Sequence, residues 1–91
     1  MNKRCHVIIH GEVQGVGFRL YMERQANLFD IYGWVRNNSN GTVEAVFEGK
    51  EENVMAIVAW CYKGPSKAEV ARVDVRDEPF LAQYHSFSVL C

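Results

Sequence analysis

Apolar and polar residues alternate with period two along parts of this chain and recur every three to four residues elsewhere. The switches between the two patterns divide it into elements. Cys5 to His10 predicts a strand, with Val7 and Ile9 on one face and His6, Ile8 and His10 on the other. Phe18, Met22, Ala26 and Phe29 follow at intervals of four, four and three, the apolar stripe of a helix from Arg19 to about Asp30. Ile31 to Asn38 predicts a second strand, and Asn40-Gly41 is a strong hairpin signal. Thr42 to Glu48 returns as a third, with Val43, Ala45 and Phe47 alternating against Thr42, Glu44, Val46 and Glu48. Val54, Ile57, Val58 and Cys61 then form a second helical stripe, begun near Gly49–Glu52 and stopped by Gly64 and Pro65. Ala68 to Arg76 alternates as a fourth strand, Asp77 to Tyr84 is a loop, and Ser86 to Leu90 is a short last strand.

The predicted order is β-α-β-β-α-β with an extra strand at the C-terminal end. Two β-α-β halves of this kind assemble into an α+β sandwich of the ferredoxin-like type, a mostly antiparallel sheet with both helices on one face. The other face is expected to be open. No linker, repeat or low-complexity stretch interrupts the pattern, so residues 1–91 are expected to form a single domain. If Val35 faces the helices, Asn37 shares its side of the sheet, and Trp34 and Arg36 lie on the open side.

Composition narrows the range of functions. Ten basic and eleven acidic residues give a net charge of −1, so no global field draws the chain to nucleic acid or to an anionic membrane. No stretch approaches the ~18 apolar residues of a membrane helix, and the apolar run after the basic N-terminus is too short for a signal peptide. Cys5, Cys61 and Cys91 are an odd set without C-x-x-C spacing, which suggests neither a disulfide framework nor a zinc ribbon. The expectation is a cytoplasmic monomer with reduced thiols. His6 and His10 lie about 13 Å apart along a strand, too far to share one metal ion.

The candidate chemistry sits between the first strand and the first helix, in Gly11-Glu12-Val13-Gln14-Gly15-Val16-Gly17-Phe18-Arg19. Glycines there allow backbone to approach a ligand, and the N–H groups of a starting helix favour an anion. Arg19 at the helix N-terminus is a cation at the wrong end of the dipole unless an anion is nearby. Its planar fork suits phosphate oxygens. A tight structural turn is the competing reading. The loop has neither a Lys-Ser/Thr closure nor G-x-G-x-x-G spacing, so it is not one of the common nucleotide loops. By spacing alone Asn37 reads as a turn-flanking residue.

Two blocks resemble those of the acylphosphatase family. Gly11 to Arg19 resembles its signature G-x-V-Q-G-V-x-F-R, and Gly33-Trp-Val-Arg-Asn37 followed by Gly41-Thr-Val-Glu44 resembles its second block. Gly64-Pro65-Ser66-Lys67-Ala68 and Phe87-Ser88-Val89 fit later positions, so the similarity spans nearly the whole chain. The resemblance implies a ferredoxin-like fold and hydrolysis of the carboxyl–phosphate bond of acyl phosphates, with no metal or organic cofactor. It implies a phosphate loop formed by Val13, Gln14, Gly15, Val16, Gly17 and Phe18, a catalytic Arg19, and Asn37 as the residue that positions the attacking water. Inorganic phosphate would be product and inhibitor. A carboxylate leaves readily, so no strong general acid is required, and no His, Cys or acid pair sits near the loop. Two rivals differ in class: a sheet that reads single-stranded RNA through Trp34 and Arg36, and an anion sensor without turnover.

Overall fold

The computed structural model describes residues 1–90, so the expectation of a reduced thiol at Cys91 lies outside the described residues. The elements are β1 (Asn2–Glu12), α1 (Phe18–Leu28), β2 (Tyr32–Asn37), β3 (Val43–Lys50), α2 (Glu51–Cys61), β4 (Glu69–Glu78) and β5 (Phe87–Val89). They form one five-stranded sheet in the order β4-β1-β3-β2-β5. β1 lies antiparallel to β3 and β4, β3 antiparallel to β2, and β5 parallel to β2. The mixed sheet with two helices is the predicted α+β architecture.

Burial follows the alternation. Cys5, Val7, Ile9, Val35, Val43, Ala45 and Phe47 are buried on the sheet face that receives Phe18, Met22 and Ala26 of α1 and Val54, Ile57 and Cys61 of α2. The Phe18 ring meets Trp60 edge-on at 5.3 Å, which ties the start of α1 to α2. Burial pushes the Cys61 thiol up, and burial together with Asp77 pushes Cys5 up to about 11, so both stay protonated near neutrality.

Among the boundaries that move, pairing explains the new ends of β1 and β4. β1 runs past His10 through Gly11 and Glu12 because these pair with Val70 and Glu69 after a register shift. The loop is therefore only Val13 to Gly17. β4 extends through Glu78, which pairs with Arg4.

The far face of the sheet is less open than expected. Glu48 is 1% exposed, since residues 79–86 cross over the end of β3. Its carboxylate accepts from the backbone N–H of Leu81, Gln83 and Tyr84 at 3.2, 2.9 and 3.4 Å and from the Arg4 guanidinium at 3.3 Å. Burial alone would raise this carboxyl, but the donors outweigh it and hold it below the ordinary range. Tyr84 covers Trp34 as well, accepting from its indole N–H at 3.0 Å.

Candidate active site

The loop Val13–Gly17 is pinned at both ends by side chains that reach the core. Val13 is 1% and Phe18 2% exposed. Between these anchors the backbone takes left-handed conformations at Gly15 (φ 73°) and Gly17 (φ 81°). A side chain would be strained at either position. Gly17 caps α1 with no side-chain hydrogen bond, and no acid lies in the first turn. Among the described residues, the N–H groups of Gln14, Gly15, Val16 and Gly17 find no backbone acceptor. These unpaired donors lie just before a helix start, where the dipole adds partial positive charge.

Arg19 is half-buried and makes no ion pair among the described residues. One nitrogen, Nη1, donates to the carbonyl of Leu90 at 2.9 Å. Leu90 in turn donates its N–H to Val35 on β2 at 2.8 Å. A carbonyl orients the guanidinium without cancelling its charge, so the fork keeps donors for an external anion.

Asn37 ends β2 opposite Val43. The hydrogen bonds that knit the adjacent turn come from Asn38, Asn40 and Thr42, not from its amide. Arg19 and Asn37 line one cleft of about 310 Å³ with Val13, Gly15, Gly17 and Phe18. Its remaining walls are Leu20, Glu23 and Val89. Two groups from separate parts of the chain thus converge on a glycine-lined cradle.

The other two loop residues face elsewhere. Val16 lines a neighbouring cavity and is not among the walls of the cleft. The Gln14 side chain turns to the β2–β3 turn, where Nε2 donates to the carbonyls of Asn38 and Thr42 at 2.7 and 2.9 Å. It thereby locks the cradle to the strand end that carries Asn37. Sequence reasoning did not find this tie, or that of Leu90. Leu90 acts through a backbone carbonyl, which leaves no trace in residue type, whereas the side-chain amide within a glycine-rich turn was the available signal for Gln14.

The remaining candidates are engaged in the sheet. His6 Nε2 lies 2.6 Å from Glu44 and His10 Nε2 lies 3.0 Å from Asp74. No three His, Cys, Asp or Glu side chains among the described residues gather as metal ligands. Arg36 pairs with Glu44 at 2.9 Å and stacks over Trp34, its guanidinium 5.2 Å from the ring centroid. The aromatic and the cation proposed for stacking RNA bases are therefore occupied with each other, and with Tyr84 and Glu44.

Comparison with known proteins points to one family. The acylphosphatase family model matches residues 5–89. An acylphosphatase of Syntrophus aciditrophicus is 47% identical over 90 residues, covering 99% of this chain and 94% of that protein. One from Thermococcus kodakarensis is 52% identical over 77 residues, covering 84% and 85% of the two chains. The crystal structure of acylphosphatase from Bacillus subtilis superposes with a TM-score of 0.93 at 32% identity, covering 100% of both chains.

Proposed function

Because this chain belongs to the acylphosphatase family and hydrolyses acyl phosphates, we propose that its loop and Arg19 hold the phosphoryl group while Asn37 positions the attacking water. The observation that carries this reading is the convergence of Arg19, Asn37 and the loop glycines on one cleft. The backbone N–H groups of residues 13–18 and the guanidinium donate to the nonbridging oxygens, where charge gathers in a loose phosphoryl-transfer transition state. The Asn37 amide oxygen accepts from the water and aims it in line with the departing carboxylate. That leaving group needs no strong acid, so the cleft works without one. The phosphate's own oxygens take the water's proton.

The reading includes no metal and no organic cofactor, a single domain, and a monomer that acts on small molecules. Inorganic phosphate competes with substrate. Backbone amide NMR during a phosphate titration tests the binding half: resonances of residues 13–18 should shift together with the Arg19 side chain. Shifts confined to the far face of the sheet would refute it. An anion sensor needs the cradle but has no use for Asn37, and this favours turnover over sensing.

A further inference from the structure

The phosphate loop separates two cavities. Gly15 and Gly17 line the cleft with Arg19 and Asn37, and the same glycines line a second cavity of about 290 Å³. Its other walls are Val16, Tyr21, Pro65, Ser66 and Lys67. The connection between α2 and β4 supplies the last three, and nothing in the hydrolytic chemistry uses them.

The two sides differ in charge and in reacting groups. Asn37 and Glu23 line only the first cavity. The second has a cation, a hydroxyl and a phenol in its wall and no carboxylate. Lys67 is exposed and makes no ion pair among the described residues. Arg24 sits over the Tyr21 ring, 5.2 Å from its centroid, and adds positive charge beside the wall.

In-line displacement places the entering and leaving oxygens on opposite sides of phosphorus. With water on Asn37, the leaving carboxylate points away from Asn37. The second cavity starts at the shared glycines, and Asn37 is not among its walls. Gly15 carries no side chain to block passage over the loop rim, and an added Cβ there would itself meet nothing within 4 Å.

Building on the proposed roles of the loop, Arg19 and Asn37, we propose that this second cavity is the acyl subsite, and that Lys67 and Ser66 select acyl phosphates whose acyl chain ends in a carboxylate. One lysine and one hydroxyl balance a single negative charge, which fits a carboxylate better than a doubly charged phosphate. Glu23 repels the same group from the first cavity.

The test compares adipoyl phosphate with hexanoyl phosphate, matched in chain length and differing in the terminal carboxylate. The readout is the ratio of their kcat/KM values, corrected for enzyme-free hydrolysis. Lys67→Ala should lower this ratio about three- to fivefold and Lys67→Glu about tenfold, the range of an exposed ion pair and its reversal. Lys67→Arg should retain the ratio. Raising salt should lower it in the wild type and leave Lys67→Ala unchanged. A ratio that stays constant across these variants, with hexanoyl phosphate still hydrolysed, overturns the subsite and leaves the hydrolytic site intact. Failure of the folded wild type to hydrolyse either compound overturns both.

Discussion

Arg19 is held by the backbone carbonyl of Leu90, at 2.9 Å, and by no carboxylate among the described residues. The distinction matters for the anion-binding role proposed for this residue. A carboxylate partner would compete with the substrate for the same fork, whereas a carbonyl fixes one nitrogen and leaves the positive charge in place. Since Leu90 is itself bonded to Val35, the guanidinium is registered against the strand that ends at Asn37.

Arg19→Lys should therefore fail almost as completely as Arg19→Ala. An ammonium is a point charge and cannot hold Leu90 and a phosphate with one planar group. Steady-state kinetics on folded protein decides this. A Lys variant with near-normal kcat/KM would show that charge alone suffices.

Asn37→Ala should act on the chemical step. Loss of a positioned polar group costs about 3–4 kcal/mol, or roughly 10²–10³ in kcat, with little change in KM. A variant in which KM rises and kcat is retained would make Asn37 a substrate-binding residue instead.

Gln14 should matter through the two bonds of its side chain to the hairpin. Gln14→Ala leaves both carbonyls without this donor and should destabilise the fold by about 1–3 kcal/mol, with weaker phosphate binding. Gln14→Glu should be no better, because an ionised carboxylate accepts but does not donate. Urea unfolding and phosphate affinity measured together would reveal an unlinked loop if stability falls and affinity does not.

Glu48 makes stability depend on acid. Its carboxyl is held below the ordinary value of 4.5 in the folded chain, where burial is outweighed by the donors around it. The stability it contributes is fully present above that value and is lost as pH falls through the depressed folded value. Urea midpoints followed downward from about pH 6 should fall more steeply in the wild type than in Glu48→Gln. Parallel pH profiles would mean that Glu48 is not a source of acid lability.

Much of this fold was legible because alternation and helical stripes report burial directly. The stripe of Phe18, Met22 and Ala26 and the alternation of Val43, Ala45 and Phe47 have the burial that the pattern predicts. Glu48 shows where the pattern stops: it alternates with the core positions, and only the crossing of residues 79–86 buries it. The ends of β1 and β4 depended on each other and so could not be read from either segment alone. At the site, residue types pointed to an anion loop but left Asn37 as a turn residue. The resemblance implied its role, and the fold places it in the same cleft as Arg19. The tether through Leu90 was illegible because a backbone carbonyl is the same in every residue.

Hydrolysis of benzoyl phosphate in the presence of a chelator, by the wild type and by Arg19→Ala, tests whether Arg19 and the loop carry catalysis without a metal. The cradle mechanism predicts rapid turnover by the wild type, competitive inhibition by inorganic phosphate, and loss of essentially all activity in the variant. Activity that disappears with the chelator, or that survives in folded Arg19→Ala, would contradict it.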